Sequence, residues 1–295
     1  MKKEVAVIVV TYNRLTLLQE CINALRSQTV NNFQVIVVDN GSTDGTQEYL
    51  ALQSDILTIT QSNSGGAGGF FTGIKYAAEN GYEYSWVMDD DTIPTPKALE
   101  ELWNSSKSLD DFGFICSKVI DVEGNSCNYP TVDYKKSSNG EFQWLNDTDK
   151  DLIRVTTSSF VSVLLNNEYV IKYGLPYSEF FIWGDDSEYT YRLSVDHLSY
   201  VALKSVAIHK RKQNQTLSIF SEDNACRVKN YYYLYRNRIF FISKQSKVKA
   251  IGWWFRSLID AINLLIHGQV YKSKIVFKAL FAAIFFSPKI VYPFQ

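Results

Sequence analysis

The stretch VAVIVVTYNR, residues 5–14, is a run of six apolar, mostly β-branched residues that meets Thr11-Tyr12-Asn13-Arg14 with no transition. Six residues are too few for the apolar core of a signal peptide, although Met1-Lys2-Lys3 ahead of them imitates one, so the run reads as a buried first strand. Three further short runs follow, Val35 to Asp39, Ile56 to Thr60 and Tyr84 to Met88. Between them Leu15 to Gln28, Thr46 to Gln53 and Gly69 to Asn80 carry helical spacing, with Asp44 placed to N-cap the second. This alternation predicts an α/β fold: a mixed, mainly parallel sheet flanked by helices.

All four runs are followed by polar or glycine-rich motifs: Thr11-Tyr12-Asn13-Arg14, Asp39-Asn40-Gly41-Ser42, Asn63-Ser64-Gly65-Gly66 and Asp89-Asp90-Asp91. Ligands of open α/β sheets bind beyond the carboxyl ends of the strands, so the four motifs point to one site on one edge. Folding alone gives no reason to set three carboxylates directly after Trp86-Val87-Met88. A hard divalent cation, Mn²⁺ or Mg²⁺, would neutralise them through oxygen ligands and bridge to phosphate oxygens. It would then stabilise charge developing on a departing diphosphate. A solvated acidic turn is the bland alternative.

The other motifs are weighed the same way. Asp39 to Gly45 is no calcium loop, because Gly41 and Thr43 stand where that loop needs Asp or Asn. Asp39 suits either a hydrogen bond to a nucleobase edge or an Asx turn. The glycines from Gly65 allow a close backbone approach to a ligand, but Gly66-Ala67-Gly68-Gly69-Phe70-Phe71 lacks the final small residue of a dinucleotide fingerprint. Trp183-Gly184-Asp185-Asp186 sets a ring, on which a sugar face can rest, beside two carboxylates. One of these could take the proton of an acceptor hydroxyl, or cap a helix that opens near Asp185 and pairs Glu188 with Arg192. His209, ahead of Lys210-Arg211-Lys212, is either structural or completes an aspartate metal shell beside phosphates.

With 295 residues, 46% apolar and 15% aromatic, the chain can bury a large core. Its net charge of −1 hides an asymmetry. Residues 1–200 hold 14 Lys+Arg against 28 Asp+Glu, and residues 201–295 hold 16 against 3, so the parts carry −14 and +13. The basic part implies an anionic partner, either a lipid surface or a polyanion, and nucleic acid is not expected. Cys21, Cys116, Cys127 and Cys226 form neither a zinc nor a disulfide pattern, which fits a reducing cytosol. Residues 121–150 read as a loop-rich excursion, with apolar patterning returning at Val155 to Leu165. Near the end, Ile251 to Gly268 is broken by Arg256 and Asp260, and Ile275 to Ser287 is short and contains Lys278, so neither should cross a bilayer. They read as interfacial helices with Trp253, Trp254 and Phe255 at head-group level, or as helices packed on protein.

Taken together, VIVVTYNR (7–14), VVDNGSTDGT (37–46), the acidic triplet, WGDDSEYTYR (183–192) and IHK (208–210) resemble the family 2, GT-A fold, inverting glycosyltransferases over residues 4–212. NSGGAGGF (63–70) with WVMDDD (86–91) and FIWGDDSEYTYR (181–192) is most similar to the bacterial galactofuranosyltransferases. The resemblance implies a catalytic domain over 1–215, with a nucleotide-binding half of about 1–120 and an acceptor half of about 121–215, then a helical region over 216–295. It implies Thr11, Asn13, Arg14, Asp39, Asn63, Gly65, Gly66, Asp89 and Asp90 around the nucleotide sugar. Asp89, Asp91 and His209 would hold Mn²⁺ or Mg²⁺. Asp186 would be the general base, with Asp185 and Trp183 at the acceptor. The implied donor is UDP-galactofuranose, with dTDP-rhamnose as the alternative. The acceptor would be a glycan or lipid-linked glycan in surface polysaccharide synthesis, and the enzyme would sit peripherally on the cytoplasmic face of the inner membrane. A sugar nucleotidyltransferase and a non-catalytic glycan-binding protein are the readings from other classes; oligomeric state stays open.

Overall fold

The computed structural model describes residues 4–210 and 217–295. The strands are β1 (Val5–Thr11), β2 (Phe33–Asp39), β3 (Ile56–Thr60), β4 (Tyr84–Asp89), β5 (Thr92–Pro94), β6 (Phe114–Ile120), β7 (Thr131–Val132), β8 (Leu152–Thr157), β9 (Val163–Asn166) and β10 (Tyr200–His209). The helices are α1 (Leu15–Arg26), α2 (Thr46–Ala51), α3 (Gly65–Glu79), α4 (Ala98–Lys107), α5 (Asn167–Tyr173), α6 (Asp185–Ser194), α7 (Ala225–Gln245), α8 (Lys247–Ile266) and α9 (Val270–Phe285). The chain forms two compact units, one of Met1–Ser178, Asp186–Lys212 and Ile290–Gln295, the other of Glu179–Asp185 and Gln213–Lys289.

The first unit is the α/β body. Its sheet runs β3-β2-β1-β4-β9-β6-β10-β8-β7, with β5 paired to β10. β3, β2, β1 and β4 are parallel, β9 lies antiparallel between β4 and β6, and β6 is parallel to β10. A strand covered on both faces needs apolar residues at every position, which is why β1 reads as a continuous run rather than an alternation. Val5, Val7 and Val9 pack with Leu18, Ile22 and Trp86 on one face. Ala6, Ile8 and Val10 pack with Phe70 and Ile74 on the other. Each large side chain so buried contributes roughly 1.5–3 kcal/mol.

Local boundaries follow from local chemistry. The residue preceding α2 is Gly45, at φ 92°, not Asp44. The Asp44 carboxylate still serves this corner, accepting from the Thr46 hydroxyl and amide and from the Leu15 amide at the start of α1. α3 begins at Gly65, four residues before the expected Gly69, so the glycines form its first turn. A Cβ on Gly69 would meet Val10 Cγ1 at 2.4 Å and one on Gly73 would meet Ile8 Cγ2 at 2.4 Å. These two glycines let α3 lie close on β1, whereas a Cβ on Gly66 would meet nothing within 4 Å. Glu188 and Arg192 pair at 2.5 Å on α6, as their spacing predicts.

The last residues return to the first unit instead of continuing the helical region. The Leu175 amide donates to the Val291 carbonyl at 2.8 Å, and Gly174, at φ 80° and ψ −174°, leaves room for Ile290. An alanine there would place its Cβ 2.2 Å from Ile290 Cγ2 and 2.8 Å from the Val291 oxygen, on a backbone only glycine adopts readily. Gly174→Ala is expected to destabilise the fold by about 2–3 kcal/mol, measured as a lower urea midpoint at unchanged slope.

The second unit is helical, with α7, α8 and α9 around Tyr231, Ile239, Ala261, Leu264, Val276 and Leu280. Among the described residues no helix is long and apolar enough to cross a membrane.

Candidate active site

Strand register sets the site. Thr11 lies opposite Asp39, Asp39 opposite Thr60, and Val10 opposite Asp89, so the carboxyl ends of β1–β4 are flush. Asp90 and Asp91 form the turn between β4 and β5. The three residues of β5 pair antiparallel with β10, which places Thr92 opposite His209, and the Lys210 amide donates to the Asp91 carbonyl at 2.8 Å. This small ladder brings His209 to Asp91 across 118 positions of sequence.

Arg14 does part of the neutralising. Its Nη1 lies 3.1 Å from Asp90 Oδ1 and 2.8 Å from Asp91 Oδ2. The Thr11 hydroxyl donates to Asp90 Oδ2 at 2.8 Å. Burial nevertheless pushes the Asp90 carboxyl up to about 6, outweighing Arg14 and Thr11. Asp91 is also buried, but His209 and Arg14 hold it below the ordinary carboxylate value. Burial works against the Arg14 charge, and the three aspartates outweigh it and raise the guanidinium pKa.

Asn128, on which the sequence reading placed no role, sets the imidazole. Its Nδ2 donates to the Ser159 hydroxyl at 3.1 Å, which turns its Oδ1 toward His209 Nδ1 at 2.9 Å. Nδ1 therefore carries hydrogen, and Nε2 faces Asp91 Oδ1 at 3.1 Å. That Oδ1 is buried, and the imidazole is the group that faces it. Two lone pairs meeting at this distance repel unless a proton or a cation lies between them. An octahedral shell with bonds of about 2.1 Å has neighbouring ligands about 3 Å apart, so the pair fits one edge of a Mg²⁺ or Mn²⁺ site. Asp89, Asp91 and His209 do not form a preformed three-ligand cluster among the described residues. A cation here would draw its remaining ligands from phosphate and water, as Mg²⁺ commonly does. Asn128→Ala should weaken Mn²⁺ binding about 10–100-fold by titration calorimetry, and, since Asn128 sits at φ 47°, should also lower the thermal midpoint in chelator by scanning fluorimetry.

Two further clusters complete the edge. The Asp39 carboxylate, fully buried, accepts from the Ser42 amide at 3.0 and 3.3 Å, an Asx-type turn. Asn13, at φ 52°, donates its amide to the Ser42 hydroxyl and accepts from the Thr43 amide, which ties the β1 loop to the β2 loop. Asn63 Oδ1 accepts from the Gly65 amide, and the Asn40 amide group donates to the Gly65 carbonyl. These bonds set the first turn of α3, where Gly66 faces open space.

Asp186, in the first unit, is half-buried; its Oδ1 accepts from the Ser187 amide at 2.6 Å, and its carbonyl accepts from the Thr190 hydroxyl. Asp185 is buried. Trp183 belongs to the second unit, where its ring meets Tyr231 edge-on at 5.3 Å. Phe181, Trp183 and Gly184 all have positive φ, an unusual concentration of strain of the kind found at ligand-holding loops. Buried Asn237 holds that turn, with its Nδ2 2.9–3.2 Å from the carbonyls of Phe180, Ile182 and Trp183. The sequence reading missed Asn237 as it missed Asn128, since an Asn at helical or loop spacing carries no motif. Arg211 and Lys212 of the basic run after His209 lie outside the described residues.

Over 132 residues the chain is 32% identical to an uncharacterized glycosyltransferase of Rickettsia conorii, covering 42% of this chain but only 21% of that one. It is 24% identical over 273 residues to the galactofuranosyltransferase GlfT1 of Mycolicibacterium smegmatis, covering 85% of this chain and 89% of that one. Among solved structures, S. aureus TarS 1-349 in complex with UDP-GlcNAc superposes with a TM-score of 0.57 at 16% identity, covering 81% of this chain and 66% of that chain. GalNAc-T7 with UDP, GalNAc and Mn²⁺ superposes with a TM-score of 0.57 at 13% identity, covering 79% and 50%. Those likenesses carry the GT-A fold. The family description "Glycosyl transferase family 2" matches residues 6–167, more than half of the chain, and the chain belongs to that family.

Proposed function

We propose that this enzyme transfers galactofuranose from UDP-galactofuranose, with inversion, to a hydroxyl of a glycan or lipid-linked glycan. The observation that carries the reading is the convergence of Thr11, Arg14, Asp90, Asp91 and His209 at the flush strand ends. UDP and UDP-GlcNAc bound to TarS support a uridine diphosphate donor, and the near full-length match to GlfT1 supports galactofuranose. Mn²⁺ in the GalNAc-T7 complex supports a divalent cation.

In this reading Asp91 and His209, with Asp89, would hold the cation, and Asn128 keeps Nε2 available. Bound there, the cation would stabilise negative charge on the departing diphosphate. Arg14 neutralises the aspartates, and its half-exposed guanidinium can also donate to phosphate oxygens. Asn13, Asp39 and the Gly65-Gly66 turn line the nucleoside and sugar. Asp186 takes the acceptor proton as the hydroxyl attacks the anomeric carbon from the face opposite UDP, and inversion follows. No protein acid is needed for the leaving group, since UDP leaves as an anion. Trp183 and Asp185 serve the acceptor. The basic helices of the second unit, which expose apolar side chains, seat the enzyme peripherally on an anionic, inner-membrane surface.

A transfer and hydrolysis screen across UDP-galactofuranose, UDP-galactopyranose and dTDP-rhamnose tests the donor. Turnover with release of UDP from the first alone is expected. Preference for dTDP-rhamnose would replace the donor, release of pyrophosphate would make the chain a nucleotidyltransferase, and no turnover with any donor would sink the reading.

A further inference from the structure

The second unit contains a cavity of 260 Å³ between α7, α8 and the segment before α7. Leu217, Ile219, Phe220 and Leu234 make part of its wall apolar, while Arg238, Arg256, Trp253, Tyr235 and Asp260 make the rest. Both guanidiniums rest against one indole, with Arg238 Cζ 3.9 Å and Arg256 Cζ 5.2 Å from the Trp253 ring centre. Neither arginine forms an ion pair among the described residues, and Asp260 instead accepts from the Tyr235 hydroxyl at 3.1 Å. A second cavity of 280 Å³ shares Trp253 and Arg256 and adds Lys249 and Gly252. Stacking on a ring fixes the planar guanidinium but satisfies none of its N–H donors in the ring plane. Two such forks, close enough that the charge of Arg256 joins burial in lowering the Arg238 pKa, call for a bidentate anion.

The surroundings say which anion. On α8, Ile251, Phe255, Ile259 and Ile266 are 59%, 56%, 57% and 73% exposed. At 3.6 residues per turn they form one outward stripe, and Arg256 lies about 60° around the helix from its edge, with Lys249 just beyond. α9 exposes Phe277, Phe281, Ile284 and Phe285 in the same manner. Of residues 225–285, eleven are Lys or Arg and only Asp260 is acidic. Apolar stripe, then cationic rim, then cavity is the order of acyl chain, interface and phosphate in a lipid leaflet.

We propose that the Arg238–Trp253–Arg256 cavity binds the phosphate of an anionic membrane lipid, whose chains lie along the exposed stripe of α8. The inference rests on the peripheral membrane seat and gives it a specific ligand. The test is cosedimentation of the full chain with vesicles of phosphatidylcholine alone or with about 30% phosphatidylglycerol, for the wild type and the double variant Arg238→Lys, Arg256→Lys. Lysine keeps the charge and loses the fork, so a site predicts at least about tenfold weaker binding to the anionic vesicles, whereas diffuse surface attraction predicts no change. Millimolar inorganic phosphate at constant ionic strength should compete for the wild type. Equal binding by the double variant overturns the site but leaves the membrane seat. Failure of the wild type to bind either vesicle overturns both, while the transferase reading is still decided by the donor screen. Binding of inorganic phosphate without vesicle binding would reassign the cavity to a free anion, and a dimer that buries the stripe would overturn the lipid assignment. Far-ultraviolet circular dichroism of the double variant excludes unfolding as the cause of any loss.

Discussion

Asp186→Asn should lower turnover by roughly 10²–10⁴ while UDP binding stays within twofold of the wild type. Asparagine keeps the size of this side chain and its acceptor oxygen. Oδ1 accepts from the Ser187 amide, a bond the Asn carbonyl reproduces, and the contact from Thr190 goes to the Asp186 backbone. These contacts at the helix start are kept, and the capacity to take a proton is lost. Initial rates of UDP release with saturating acceptor, set beside UDP titration calorimetry, separate the two effects. A variant that turns over within threefold of the wild type would remove Asp186 from the base role. Asp185→Asn is the informative comparison, since Asp185 is buried at the helix start; a loss there should come with a lower thermal midpoint, whereas the Asp186 variant should melt like the wild type.

Much of the first unit was legible because its signals are local. β1, β2 and β4 extend the expected runs by one or two, since a strand buried on both faces announces itself as an unbroken apolar stretch, and the edge strand β3 spans the expected residues. The strand-edge motifs were legible for the same reason: polar residues cut short such a run only where the chain leaves the sheet. What the sequence hid is carried by short or distant pairings. β5 has three residues, too few for any periodicity, yet it alone aligns His209 with Asp91. Asn128 sits in a polar excursion indistinguishable from solvated loop, and its role exists only because β6, the loop at Ser159 and β10 converge. Gly69 belongs to a stretch that reads as a ligand-approach loop and is instead a packing glycine, as Gly73 is one turn on, a distinction that depends on Val10 and Ile8 across the helix–sheet contact. The return of Ile290–Gln295 to the first unit turns on Gly174, whose conformation no spacing rule encodes.

Asp91→Ala should abolish the metal-dependent part of donor affinity and cut turnover by about 10²–10³, equivalent to several kcal/mol of stabilisation of the leaving diphosphate. Asp91 Oδ1 is buried 3.1 Å from His209 Nε2, and Arg14 keeps Asp90 as a partner when Asp91 is gone. Asp91→Asn keeps an acceptor for Arg14 and the side-chain volume, so a comparable loss in both variants assigns the effect to the missing charge rather than to a cavity. The pH dependence supplies an independent check. Asp90 has its folded pKa raised to about 6 from 3.8, so in the metal-free protein the fold holds a proton that the unfolded chain has released. Stability then falls as pH rises through that window, and a penalty of roughly 3 kcal/mol stands in full above pH 6. Asp91, held below 3.8, stays ionised throughout the window and contributes the opposite sign only at lower pH. A cation bound beside Asp90 offsets the penalty where it exists, and protons displace it where the carboxyl is neutral. Mn²⁺ should therefore raise the melting temperature more at pH 7.5 than at pH 5, and the difference should disappear in Asp91→Ala. Equal stabilisation by Mn²⁺ at both pH values in the wild type, or unchanged stabilisation in the variant, would mean the cation binds somewhere other than the Asp91–His209 edge.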